Sequence, residues 1–373
     1  MKLSRLDVFL IKWPFQLPVE HSLARNLTTE NLVLRLWDDE GNQGYGEGVP
    51  RPYVTGETTD QALEALRRDW APLILKRQLD AAGALNFFPE HADPELWNRS
   101  PAAACALETA VLDLAGRRLG KPMSWFLGES AGADLVYSAV LPMIGPKEMS
   151  ALLSRVRQMK MTQVKVKVGR DGDVETVAQV RQVLGSQAAL RVDANGAWTP
   201  EQAVAKIKQM TELGIQSVEQ PVAKGDLSGL AFVKQRVSPL IIADESICTP
   251  GQAKHLIEKQ AVGGFNLRLS KCGGPSRTLQ ILALAREAGL ACQLGCQVGE
   301  LGVLSAAGRH FASCHSDLIH LEGSLTRFYL SDDVIEQDLS FGPRGLAPEL
   351  SQPGLSVNVI EEKLTPNLIF TLS

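Results

Sequence analysis

Residues 164–169 read VKVKVG. On a strand, residues i and i+2 share a face, so Lys165 and Lys167 point one way and the valines the other. If this is an amphipathic surface strand, the lysine face meets water. If it belongs to a closed barrel, the lysine face meets the interior, where two ammonium groups need acidic partners. The stretches on either side decide between these readings.

Apolar strand-like runs recur along the chain with helical patterns between them. They are LVYSAVLPMI (135–144), QVKVKVG (163–169), ALRVDANGAW (189–198), IQSVEQPV (215–222), PLIIADES (239–246), GFNLRLSKCGG (264–274), LACQLGCQVG (290–299) and LIHLEGSL (318–325). The intervening segments include DVETVAQVRQVLG (173–185), TPEQAVAKIKQMTELG (199–214), TPGQAKHLIEKQ (249–260) and PSRTLQILALAREAG (275–289). Such alternation implies a parallel sheet. Eight units in about 200 residues fit a closed (β/α)8 barrel, placed at 131–330. An open doubly wound sheet would carry a glycine-rich nucleotide loop after its first strand, and MIGPKEMS (143–150) is not one.

The N-terminal part has another rhythm. LSRLDVFLIKW (3–13) and ENLVLRLWDDEGNQGYGEGV (30–49) read as antiparallel strands, with a turn at DDEGN. TTDQALEALRRDWAPLIL (58–75) and PAAACALETAVLDLAGRRLG (101–120) read as helices, the second opened by a proline and closed near Gly120. Residues 1–130 are therefore expected to form an α+β capping domain. The tail, 331–373, returns to short strand-like pieces and is expected to pack back on it. The fold class is α/β: a TIM-type barrel with an α+β cap.

Composition narrows the function. A net charge of −4 gives no footprint for nucleic acid, and neither a basic run nor a span-length apolar run points to a membrane. MKLSRLDVFLIKWPF is interrupted by Lys12 and no small-residue cleavage site follows, so it does not read as a signal peptide. The six scattered cysteines form no Cys-x-x-Cys pair and read as reduced thiols of a cytoplasmic protein.

Polar residues interrupt the barrel strands at a regular interval. Lys167, Asp193, Glu219, Asp244 and Arg268 are spaced 26, 26, 25 and 24 residues apart, about one βα unit each time. Each therefore falls near the C-terminal end of its strand, where barrels place their active sites. Three carboxylates in register on adjacent strands repel one another and need a cation. An all-oxygen set favours Mg²⁺ or Mn²⁺ over zinc. The lysines of VKVKVG then face this charged interior rather than solvent.

Taken together, KVK, DANGAW, EQP, ADES and LSKCGG resemble the enolase superfamily, in its muconate lactonizing enzyme subgroup, over essentially the whole chain. The resemblance implies Asp193, Glu219 and Asp244 as metal ligands and Lys167 as the catalytic base. It implies that Lys165 tunes the base and that Asn195 neighbours the first ligand. In this subgroup a second lysine usually ends strand six, whereas this chain has Arg268. Lys271, three residues on, is expected to point away into the following loop. A guanidinium stays protonated, so Arg268 is expected to stabilise an anion rather than accept a proton.

Glu322 in HLEGS occupies a place where the subgroup often carries a specificity residue. The cap stretches EHSLARN and GVPRPYVTGET are expected to fold over the barrel mouth, making His21, Arg25, Arg51 and Tyr53 candidate substrate contacts alongside Asn195 and Glu322. The resemblance implies an enzyme that moves an α-proton of a small carboxylate through an enolate. With one lysine base, cycloisomerisation ranks first, a one-base dehydratase or o-succinylbenzoate synthase-like lyase second, and epimerisation third. A non-catalytic barrel that binds metal and carboxylate is the alternative from another class. A homo-oligomer is expected, because barrels of this kind often associate through their outer helices.

Overall fold

The computed structural model describes residues 1–21 and 24–373, with side chains described for 1–16 and 27–373. The cap is an antiparallel sheet of β1 (Leu3–His21), β2 (Ala24–Asp38) and β3 (Gln43–Gly48). Asp38 makes the expected turn, its Oδ1 accepting the backbone N–H groups of Glu40 and Asn42. Helix α1 (Pro101–Leu119) begins at its proline and ends on Gly120 in the left-handed conformation.

The seam between α1 and β3 is written in two patterns. Gly44, Gly46 and Gly48 alternate along the strand. A Cβ on any of them would lie 2.6 Å or less from the helix backbone at Ala110, Ala106 or Ala102. Those alanines follow one another every four residues, so one stripe of the helix lies directly on one face of the strand.

The barrel strands are β4 (Ala139–Leu141), β5 (Gln163–Lys167), β6 (Ala189–Asp193), β7 (Ile215–Glu219), β8 (Leu240–Ala243), β9 (Gly264–Leu267) and β10 (Ala291–Leu294). They form one parallel sheet in chain order. The eighth strand expected from the sequence is reduced to a bridging segment. Leu321 bridges Tyr137 on one side and Leu294 on the other. Ser138 N–H donates to Leu321 O at 2.8 Å and Glu322 N–H to Leu294 O at 2.8 Å, joining the two edges of the sheet.

Seven outer helices follow the first seven strands: α2 (Pro146–Gln158), α3 (Asp173–Leu184), α4 (Pro200–Thr211), α5 (Leu227–Lys234), α6 (Pro250–Glu258), α7 (Pro275–Glu287) and α8 (Gly302–Ser313). The TPEQ and TPGQ stretches make full capping boxes at α4 and α6, with Thr and Gln exchanging bonds across the first turn. No helix among the described residues is long and apolar enough to cross a membrane. The tail ends in β11 (Leu368–Leu372), which pairs antiparallel with β1, Leu6 opposite Leu372.

The cap also grips the loop after β10. Thr29 Oγ1 and Asn31 Nδ2 each donate to Gly299 O at 2.9 Å, and Arg51 Nη2 donates to Val298 O at 2.7 Å. Glu47 accepts the N–H groups of Leu301 and Leu304 at 2.7 and 2.8 Å, where α8 starts.

A second contact between cap and barrel is Glu108 of α1, which accepts Ser276 N–H of α7 at 3.1 Å. Its Oε2 is buried without a partner and lies where a Cβ on Gly274 would stand. Burial pushes this carboxyl up to about 8. The folded protein therefore holds the proton more tightly than the unfolded chain, whose value is near 4.5. Its stabilising effect is complete below about pH 4.5 and is lost as pH rises through about 8, on the order of a few kcal/mol. Glu108→Gln should flatten the decline of the thermal midpoint between pH 5 and pH 9. Burial also pushes Glu57 up to about 8 and Glu47 up to about 7, so a decline left wholly unchanged would show that Glu108 does not contribute to it.

Candidate active site

The register of the parallel sheet sets the site. Lys167 pairs with Asp193, and Asp193 with Glu219, so the three side chains stand at one level on adjacent strands. Asp244 follows the last residue of β8. One carboxylate oxygen from each of Asp193, Glu219 and Asp244 lies within 4.8 Å of the others, and all three residues are buried. Such a compact, all-oxygen set can hold a metal ion, and its hardness suits Mg²⁺ or Mn²⁺.

Cations press on this cluster from several strands. Lys167 Nζ is 2.6 Å from Asp193 Oδ2 and donates to Asn195 Oδ1 at 2.8 Å. Lys165, one layer deeper, lies 3.2 Å from Asp193 and 3.3 Å from Glu219, and donates to Glu322 Oε2 at 2.7 Å. Burial alone would lower the Lys165 pKa, but Glu219, Glu322 and Asp193 outweigh it and hold the ammonium well above its ordinary value. Burial acts against ionisation of Asp193 in the same way, and Lys167 and Lys165 reverse it, so its carboxyl falls far below the usual range.

Arg268 reaches the site from the end of β9. Its Nη2 contacts Asp244 Oδ2 and stands 3.7 Å from Glu219, while Nη1 donates to Gln297 Oε1 at 3.2 Å. Lys271 does not point away into a loop, contrary to expectation. Residues Leu269–Cys272 form one helical turn, which swings Lys271 back beneath Asp244. Its ammonium donates to Asp244 Oδ1 and Asp244 O, both at 2.8 Å, and to Asn266 O at 2.6 Å. All three protons are used and the side chain is fully buried.

The pocket above the cluster encloses about 650 Å³, its open throat included, and its lining includes Lys167, Asn195, Glu245, Arg268, Glu300 and the cap residue Tyr53. Glu322 also borders it, but both its oxygens are engaged, one by Lys165 and one by Arg191 Nη2 at 2.5 Å. Its carboxyl is held low against burial, by Lys165 first and then Arg191. Asn195 bonds Lys167 on one side and Glu245 on the other. Arg51 lies outside this pocket, buried and turned onto the carbonyls of Pro50 and Val298, because the loop after β10 needs its donors. His21 and Arg25 take part in the β1–β2 pairing through their backbones, and their side chains lie outside the described residues.

Sequence reasoning passed over a deeper layer. Asn266 donates to Glu219 Oε1 at 2.8 Å, Gln293 to Glu219 Oε2 at 2.7 Å, and Arg191 holds Glu322. A usable signal existed for two of them. Arg191 and Asn266 each stand two residues before a site residue, as Lys165 stands before Lys167, and so share its inward face. Gln297 and Glu300 sit in the loop after β10, where no periodicity marks them.

The family described as "Enolase C-terminal domain-like" matches residues 148–363. The N-terminal domain of the mandelate racemase / muconate lactonizing enzyme family matches residues 5–128. The chain belongs to the enolase superfamily. It is 30% identical over 366 residues to the L-Ala-D/L-Glu epimerase of Bacillus subtilis, covering 96% of this chain and 97% of that protein. It is 26% identical to the N-succinyl-L-Arg/Lys racemase of Bacillus cereus, covering 99% of each. Among solved structures, the dipeptide epimerase of Enterococcus faecalis complexed with Mg and the dipeptide L-Leu-L-Tyr superposes with a TM-score of 0.87 at 28% identity, over 96% of this chain and all of that one.

The muconate lactonizing enzyme of Pseudomonas fluorescens shares the fold, with a TM-score of 0.89 at 24% identity over 99% of each chain. It is a structural neighbour, while the sequence relatives described above bear epimerase and racemase names. The motifs read from the sequence build an acidic cluster and a lysine pair, which any α-proton chemistry of this kind can use, so they do not by themselves separate cycloisomerisation from epimerisation.

Removing Lys271 tests its inward placement. Lys271→Met leaves Asp244 short of a buried partner and should cost about 3–5 kcal/mol of stability in denaturant unfolding. A loop lysine directed at solvent would cost less than about 0.5 kcal/mol.

Proposed function

We propose that this protein is a metal-dependent epimerase or racemase that inverts the α-carbon of a small carboxylate, of the dipeptide or N-acylamino acid class. The observation that carries this reading is the placing of Lys167 at the pocket wall, bonded to Asp193 of a buried carboxylate triad, in a chain whose relatives bear epimerase and racemase names. Asp193, Glu219 and Asp244 would hold Mg²⁺ or Mn²⁺, which when bound stabilises negative charge on the substrate carboxylate.

Lys167 takes the α-proton. Asn195 orients its amino group through the 2.8 Å bond. Lys165 stays charged between its carboxylates and acts on Lys167 as a fixed positive neighbour. Arg268 supplies a second fixed cation at the mouth and stabilises the enolate-like anion. Arg268 is also the observation that favours a second reading, a one-base elimination or cycloisomerisation, because a guanidinium does not readily take up the second proton transfer.

Incubation in heavy water with Mg²⁺ and a panel of L-configured dipeptides and N-acylamino acids separates these readings. The expected outcome is deuterium at the α-carbon together with the inverted isomer for some members. Lys167→Ala should abolish both, and Arg268→Met should slow turnover by roughly 10²–10³-fold, the scale for loss of one anion-stabilising donor. Lactonisation of a muconate with no inversion anywhere in the panel would defeat the epimerase reading.

A further inference from the structure

An epimerase must exchange protons on both faces of the α-carbon, and Arg268 stands where a second base would be expected. We propose that Glu300 is the second acid–base group, serving the face away from Lys167. This inference rests on the epimerase reading above.

Elimination narrows the choice among the groups around the pocket. The donors of Lys271 are fully used and Lys165 is locked among three carboxylates. Glu322 has a cation on each oxygen. Glu245 accepts the amide of Asn195, which itself holds Lys167, so it is part of the Lys167 hydrogen-bond network. Tyr53 is engaged with the Arg51 guanidinium. Burial pushes the Cys296 thiol and the Tyr329 phenol above their ordinary values, so they give up protons poorly. Among the described residues, no cation pairs with Glu300.

Its position is suitable. In chain order around the mouth, β9 lies across from β5, and β10 adjoins β9. Glu300 follows β10, across the mouth from β5 in strand order, and its Oε1 lies close to Gly323 at the end of the eighth, bridging segment. The turn that carries it is tightly held. Glu300 N–H donates to Gln297 O at 3.1 Å, Gln297 N–H donates to Glu300 Oε2 at 3.1 Å, and Thr326 Oγ1 donates to Glu300 O at 3.1 Å. Gly299, with φ +80°, accepts Thr29 and Asn31 of the cap. Arg268 bonds the side chain of Gln297 in the same turn. Burial, and after it the charge of Glu47, pushes the Glu300 carboxyl well above the usual range and favours its protonated form. A carboxyl so shifted can both give and take a proton.

The steps balance. The Lys167 amine takes the α-proton, and the C–H electron pair enters the enolate. The O–H bond of Glu300 then breaks, its proton forms a new C–H bond on the opposite face, and Glu300 is left as a carboxylate. Solvent removes one proton from Lys167 and returns one to Glu300. The reverse reaction exchanges the two roles.

The test uses Glu300→Gln and Glu300→Asp in the full-length protein with Mg²⁺, on the panel members that the unmodified protein inverts. Glu300→Gln should keep the thermal midpoint and Mg²⁺ affinity. It should retain Lys167-dependent α-deuteration with configuration retained, and lose inversion by at least about 100-fold. Glu300→Asp, which keeps the acid one methylene shorter, should recover part of the inversion. Inversion within a few-fold of the unmodified rate in Glu300→Gln would overturn the proposal. So would equal loss of deuteration and inversion in a folded, metal-binding variant, or the absence of any recovery in a folded Glu300→Asp. If the unmodified protein inverts nothing in the panel, the epimerase reading itself fails and this proposal with it.

Discussion

Three buried carboxylates gathered within 4.8 Å repel one another, and the barrel mouth is organised around balancing them. Lys167 and Lys165 face Asp193, Lys165 also faces Glu219, and Arg268 and Lys271 face Asp244. The amides of Asn266 and Gln293 fix both oxygens of Glu219. Arg191 and Lys165 bring Glu322 into the same network. The arrangement is strongly coupled, because removing one member leaves a buried charge without a partner rather than merely losing one bond.

The cap does more than cover the barrel. Its strands β1–β3 are fixed to α1 by the glycine–alanine seam, and from that base Thr29, Asn31, Glu47 and Arg51 hold backbone groups between Val298 and Leu304. The loop after β10 would otherwise be a stretch of glycine-containing backbone at the rim. Held in this way, it presents Gln297 to Arg268 and Glu300 to the pocket. The pocket is thus built by two units of the chain, with the barrel supplying charge and the cap supplying order.

Arg268 sets the charge at the end of β9. A lysine in its place would offer a proton that can be lost in a crowded cationic site. A guanidinium offers fixed charge and a planar set of donors, which here join Asp244 to Gln297. Lys271 does not replace it, because its three protons already meet three oxygens. On the epimerase reading the second proton transfer would come from outside β9, and the loop after β10 brings the carboxyl of Glu300 to the pocket.

Much of the architecture was legible in the sequence because it follows from local periodicity. The spacing of Lys167, Asp193, Glu219 and Asp244 by about one βα unit places them at one level, and the strand period of two turns Lys165 inward with Lys167. The TPEQ and TPGQ caps and the Pro101–Gly120 boundaries are likewise local hydrogen-bond and backbone effects. Other features were decided only by tertiary structure. Lys271 comes inward because one helical turn after β9 reverses its direction and Asp244 waits above it. Glu322 binds two barrel cations because β5 and β6 bring Lys165 and Arg191 to it from well over a hundred residues away. Arg51 serves the loop after β10, and Glu300 meets the pocket, only because the cap folds onto that loop. Sequence spacing determines which face of an element a residue occupies, but its partner across the barrel depends on contacts between residues far apart in the chain, which no local pattern encodes.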